Sequence, residues 1–268
     1  MGLVVRRKIA HLDNDVIAGL VNDQSARGFV ESIRRNGHDL YIPPAVVRQM
    51  CTAPTPVRTK LVAAAMKYCK GFSNLPGYDL LLLEIDCLAK GRMVPPPPTL
   101  PIARLAEILP NQAAAKMKNK LAKLARAEER DILDELARSL RDRAICRSFD
   151  EFRKEGVPLI LKVLIDRAPA GKGIGALKAA AKHSSRTRAD KYGLIGLAVL
   201  LCANIYRRAH NVGKGAGCFS DLMMMVEVSH ADVLLTRDTE LAECWKLVAS
   251  VIDDARPQVL LVPQPHFS

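Results

Sequence analysis

Aromatic side chains are scarce in this chain, at 4% of 268 residues with a single Trp. Stacking of bases on ring faces can therefore add little to a nucleic-acid contact, which leaves phosphates as the main target for its charge. Long apolar runs are missing too. The most apolar stretch, Gly193–Ile205, is far shorter than the roughly 20 residues a membrane-spanning helix needs. The basic opening Met1–Ala10 leads into a polar, acidic stretch instead of an apolar one, so no secretory signal is expected. Paired cysteines are also lacking. Cys51, Cys69, Cys87, Cys146, Cys202, Cys218 and Cys244 stand singly with no CxxC. That argues against a disulfide framework and a zinc knuckle, and fits reduced thiols in a cytoplasm.

What the chain does have is apolar mass and positive charge. Hydrophobic residues make up 49% of it, enough to offset the ordering entropy and build one large domain or two modest ones. Its 40 Lys+Arg against 28 Asp+Glu give a formal charge of +12, which suggests a polyanionic partner. The excess is concentrated: Asn111–Arg188 holds 19 bases against 10 acids, while the remaining 190 residues are nearly balanced.

Both ends of the chain read as α/β. Lys8–Leu12 is a short apolar strand ending at Asp13, and Asp15 to about Asn36 has helical spacing that stops at Asn36-Gly37. Asp39–Ile42 is a second strand, Pro43-Pro44 opens a helix, and Val57–Lys70 is another. Asp79–Leu88 is ambiguous, and Pro95–Pro98 is a stiff elbow. Asn111–Arg147 carries the chain's strongest helical signal. Near the end come a helix over Ser220–Ser229, a buried-type strand over Asp232–Thr236, a helix over Thr239–Ser250 and a strand over Val259–Val262. The pattern predicts an α/β fold with a parallel sheet flanked by helices on both faces. It divides into a first half over 1–92, a basic helical insertion over 93–190 and a second half over 191–268.

Three acids fall at strand ends or helix starts, where an α/β sheet places its chemistry. Asp13 follows the first strand, Asp221 opens a helix, and Asp238 follows the strand ending at Thr236. Carboxylates converging on one pocket repel each other and call for a hard divalent cation, Mg²⁺ or Mn²⁺. In a basic protein such a site suits phosphodiester hydrolysis. Glu227, inside an apolar helix run, could be a ligand but reads first as a solvent-facing or paired residue, Asp232 before its strand reads as structural, and the six histidines share no ligand spacing.

These residues resemble the PIN-domain ribonucleases. His11-Leu12-Asp13-Asn14-Asp15-Val16-Ile17 resembles the family's opening motif, and Leu40-Tyr41-Ile42-Pro43-Pro44-Ala45-Val46-Val47 its second strand and following helix. Ser220-Asp221-Leu222 and Ala231-Asp232-Val233-Leu234-Leu235-Thr236-Arg237-Asp238 resemble its closing half. The four segments occur in family order and cover about a third of the chain. The resemblance implies a PIN-like fold with a large helical insertion, and a metal-dependent endoribonuclease. Its catalytic and metal-binding acids would be Asp13, Asp221 and Asp238, with Mg²⁺ or Mn²⁺ as cofactor. The family glutamate falls on Gln49, a neutral departure. Asp15, Glu84 (or Asp86) and Glu240 are the further acids that can complete the set. Lys116, Lys118, Lys120, Lys123, Arg126, Arg186 and Arg188 would hold RNA. The toxin role of many small family members implies an antitoxin or other protein partner, and a homo-oligomer is compatible with the reading. The alternative is a PIN-like module that has lost catalysis and binds RNA or a partner. Asp13-Asn14-Asp15 also looks like the Asp-x-Asp motif of haloacid dehalogenase-like phosphatases, but Val16-Ile17 stands where that family has Gly-Thr.

Overall fold

The structure is a computed structural model that describes residues 8–75, 95–109, 224–249 and 257–264, with Leu80, Leu83 and Cys87 between. The basic insertion expected over 93–190 falls mostly outside these residues. Six strands form one sheet: β1 (Lys8–Leu12), β2 (His38–Ile42), β3 (Gly71–Ser73), β4 (Thr99–Pro101), β5 (Val233–Thr236) and β6 (Gln258–Leu261). Their spatial order is β4-β3-β2-β1-β5-β6. All neighbours run parallel except β4, which is antiparallel to β3, so the sheet is mixed, not purely parallel. Proline explains that edge. Pro101 lacks a backbone donor and fits only where one side of the strand is unpaired.

The chain builds outward from β1 in both directions, with β2 and β3 on one side and β5 and β6 on the other. This switch in direction opens a crevice at the carboxyl ends of β1 and β5. Both strands are buried there, β1 from Ala10 onward and β5 throughout, as expected for central parallel strands. Alternation along the pleat puts Ala10, Leu12, Leu40, Ile42 and Leu235 on one face. His11, Tyr41, Leu234 and Thr236 share the other.

Helices α1 (Asn14–Asn22), α2 (Gln24–Arg35), α3 (Pro44–Thr52), α4 (Thr55–Tyr68), α5 (Arg104–Ile108) and α6 (Thr239–Ala249) complete the described elements. The single helix expected from Asp15 to Asn36 is two. Asp23 leaves helical geometry at φ −112°, ψ 116°, and its side chain accepts from the Ser25 amide (2.8 Å) and the Ala26 amide (3.4 Å). A residue that ends one helix and caps the next breaks the run without interrupting its hydrophobic spacing. Gly37 (φ 85°) then ends α2 in the left-handed region that glycine enters at little cost. Helix α1 packs against α2, α3 and α4, and Leu12, Ile17, Leu20, Leu40, Ile42, Met50 and Leu105 are the largest fully buried side chains. Each contributes about 1.5–3 kcal/mol of burial free energy. No helix among the described residues is long and apolar enough to cross a membrane. Cys51, Cys69, Cys87 and Cys244 are in no disulfide.

Arg237 locks the end of β5 onto α1. Its guanidinium pairs with Asp23, donates to the Pro263 carbonyl (2.9 Å) and lies over Gly19. The Ser25 hydroxyl, then Arg237, hold the Asp23 carboxyl down at about 2. A Cβ on residue 19 would sit 2.7 Å from the guanidinium. Gly19→Ala should therefore lose about 1–2 kcal/mol in chemical denaturation, because overpacking outweighs the roughly 1 kcal/mol gain in helix propensity. A stabilised Gly19→Ala chain would show that the guanidinium moves aside freely.

Candidate active site

Asp13 occupies the crevice because β1 ends there and α1 begins. It is the N-cap of α1, with extended backbone and a buried side chain. One carboxylate oxygen accepts from the Asn14 amide (2.6 Å) and the other from the Thr236 hydroxyl (2.7 Å). The Asp13 amide donates to the Leu235 carbonyl (2.9 Å), fastening the end of β1 to β5. The same Thr236 oxygen accepts from the Asp238 amide (3.0 Å). One hydroxyl thus links two of the predicted acids, reaching from Thr236 to Asp13 across 223 residues of sequence. Asp238 in turn accepts from the Leu241 amide (2.9 Å), capping α6.

Burial pushes the Asp13 carboxyl up to about 6. The Thr236 and Asn14 hydrogen bonds pull it down, and the negative charges of Asp15 and Asp238 push it further up. Among the described residues no Lys or Arg pairs with Asp13 or Asp238. Arg237, adjacent to Asp238 in sequence, is committed to Asp23. A buried carboxylate facing like charge without a cation is destabilised in its ionised form.

The other predicted residues fall as follows. Asp15 is exposed in the first turn of α1, and Glu240 is exposed in the first turn of α6. Gln49 lies on α3, and its side-chain oxygen is buried with no hydrogen-bond partner among the described residues. Asp221, Glu84, Asp86, Lys116, Lys118, Lys120, Lys123, Arg126, Arg186 and Arg188 lie outside the described residues. Among the described residues no three His, Cys, Asp or Glu side chains converge as a metal set.

Sequence reading gave no role to Thr236, although the Thr-x-Asp spacing was the signal for it. Of the readings open for Glu227, the structure shows the paired one and not the solvent-facing one, with partners that come from afar. It is fully buried, accepts from the Ala45 amide (2.6 Å) at the start of α3 and from Arg48 (2.8 Å). Pro43 offers α3 no side-chain cap, so Glu227 fills that place from across the sheet. Glu227→Ala should cost about 3 kcal/mol in urea denaturation, since a charged hydrogen bond and a helix cap disappear together. Glu227→Gln, which keeps an acceptor for Ala45, should recover about half; equal losses in both would show that the carbonyl acceptor is irrelevant. Asp232 is structural, as expected: it accepts from the Ile9 amide (2.8 Å) at the opposite edge of the sheet.

Two histidines that share no sequence spacing meet at β1. The rings of His11 and His230 are 5.4 Å apart, edge to face, and Tyr41 lies 6.2 Å from His11. Burial holds His11 well below its ordinary range and brings His230 down to about 4.

Comparison of the chain with protein-family models, curated proteins and solved structures finds no match.

Proposed function

We propose that this chain is a metal-dependent endoribonuclease with a PIN-like core, whose basic helical insertion positions RNA. The observation that carries the reading is the Thr236 hydroxyl joining Asp13 to Asp238 in the β1/β5 crevice, with no described cation to neutralise either acid. The elevated Asp13 carboxyl fits a divalent cation: hard oxygen donors are gathered there and lack a counter-charge. Asp13 and Asp238, with Asp221 as the resemblance implies, would hold Mg²⁺ or Mn²⁺. When bound, the ion neutralises charge on the phosphate and acidifies an attacking water.

The protein's own share is positional. Thr236 fixes the rotamer of Asp13 by donating to it and holds the backbone of Asp238 by accepting from it. Arg237, pinned to Asp23, keeps the turn that carries Asp238 against α1. Lys116, Lys118, Lys120, Lys123, Arg126, Arg186 and Arg188 hold the phosphate backbone without sequence preference.

Purified chain should cleave RNA with Mg²⁺ or Mn²⁺ and not with EDTA. Asp13→Ala and Asp238→Ala should each lose roughly 100-fold or more, the equivalent of a few kcal/mol of lost charge stabilisation. Unchanged activity in folded variants, or none in the parent with either metal, overturns the reading. The neutral Gln49 favours the second reading, a PIN-like module that binds RNA or a protein partner without cutting. Its mark would be salt-sensitive RNA binding that survives loss of the acids.

A further inference from the structure

Strand β1 carries a histidine where a central parallel strand ordinarily carries an aliphatic residue. His11 lies between Tyr41 of β2 and Leu234 of β5 and is fully buried. Neither of its ring nitrogens has a hydrogen-bond partner among the described residues, nor does Nδ1 of His230. Buried polar groups are nearly always paired in a folded protein, so three open nitrogens at one contact call for something to bind them. The two rings meet edge to face with their centroids 5.4 Å apart. Aromatic packing alone accounts for that distance, but not for nitrogens left without partners. His230 stands in the turn that leads into β5 and is partly exposed, so the contact reaches the surface on that side.

We infer that His11 and His230 form a two-imidazole site for a borderline divalent transition ion of the Zn²⁺ class, distinct from the carboxylates of Asp13 and Asp238. The spacing fits. With Zn–N bonds of about 2.0–2.1 Å and tetrahedral angles, two imidazoles on one ion hold their centroids about 5 Å apart. The donor type selects the ion. Neutral imidazole suits Zn²⁺, whereas Mg²⁺ and Mn²⁺ take hard oxygen donors, so one chain sorts two kinds of ion between two places. No third His, Cys, Asp or Glu among the described residues joins the pair, which leaves the remaining positions to water. An ion held here ties β1 to the turn that enters β5, the two paired strands whose ends carry Asp13 and Asp238. Its role is that of a clamp on the fold, and it does not rest on the nuclease reading.

The test uses the full chain, stripped of metal with EDTA and kept reduced, with Zn²⁺ alone as the probe. Calorimetric titration should show one equivalent bound with a Kd of about 10 μM or tighter, unmoved by a large excess of Mg²⁺. His11→Leu and His230→Leu should each weaken that equivalent about tenfold or more, while His38→Leu and Asp13→Asn keep it. A leucine at position 11 can disturb the sheet, so ring ¹⁵N spectra of the unaltered chain give a second reading. One equivalent of Zn²⁺ should shift the nitrogens of two of the six histidines, and His230→Leu should abolish both changes. Zn²⁺ binding that survives both leucine variants, or that disappears with Asp13→Asn, puts the ion elsewhere and overturns the site. Absence of binding, with the ring nitrogens unmoved, leaves the two rings as edge-to-face packing alone and overturns it as well.

Discussion

Asp13→Asn should abolish metal-dependent cleavage and at the same time make the metal-free protein more stable. The carboxyl titrates at about 6 in the folded chain against 3.8 ordinarily. A folded-state value above the unfolded one means that the group favours folding only while protonated. Its contribution is whole below about pH 3.8 and lost as pH rises through about 6. About two units of displacement correspond to about 3 kcal/mol at neutral pH. The cause is chiefly burial, with Asp15 and Asp238 adding repulsion.

An amide at position 13 can still accept from the Asn14 backbone and can donate to Thr236, whose hydroxyl then accepts from both neighbours and gives up its own acceptor, while the buried charge goes. The substituted chain should gain about 1–3 kcal/mol in urea denaturation near pH 7.5 with EDTA, and the gain should fade toward pH 4. Adding Mn²⁺ should reverse the order, because the cation stabilises only the chain that binds it. Activity of the parent, in turn, should rise through an apparent pKa at or below about 6, since a bound cation favours the ionised carboxylate. An Asp13→Asn chain that is less stable than the parent at pH 7.5 would show that the carboxylate is already compensated.

The sequence patterns that were readable are those whose physics is local. An apolar strand that ends in an acid, as Lys8–Leu12 does before Asp13, shows itself in five residues. So does the helix start at Pro43-Pro44, where the missing N–H costs nothing. Strand β3 is only three residues long and β4 follows a proline run, so neither offers a period to detect. Asp23 breaks a helix through its own side chain, while the hydrophobic spacing runs on across it.

The site was half legible for the same reason. Asp13 and Asp238 announce themselves by position at strand ends. The hydroxyl that joins them, the Glu227 cap on Ala45 from 182 residues away and the meeting of His11 with His230 are products of strand order. Until β5 is known to lie beside β1, nothing in the spacing brings these groups together.

The buried histidines should make the protein acid-labile despite Asp13. His230 titrates at about 4 in the folded chain against 6.5 ordinarily, and His11 is held well below the same value. For a base depressed by burial the unfolded chain takes up the proton first. The neutral rings are tolerated at no proton cost above pH 6.5, and stability drains away as pH falls from there through about 4. The shift at His230 corresponds to about 2–3 kcal/mol after allowing for its partial exposure. His11 adds to that in the same direction, and each ring, once charged, would repel the other.

Asp13 works the opposite way over nearly the same interval, gaining stability as it protonates between about 6 and 3.8. Two histidines against one aspartate leave a net loss, so urea midpoints should fall between pH 6.5 and 4. The fall should be steeper in Asp13→Asn, where the compensating group is gone. His11→Leu and His230→Leu should flatten it and raise stability at acid pH, because an apolar side chain replaces a buried ring with open nitrogens. If both substitutions leave the acid limb as steep as before, the histidines are not its source.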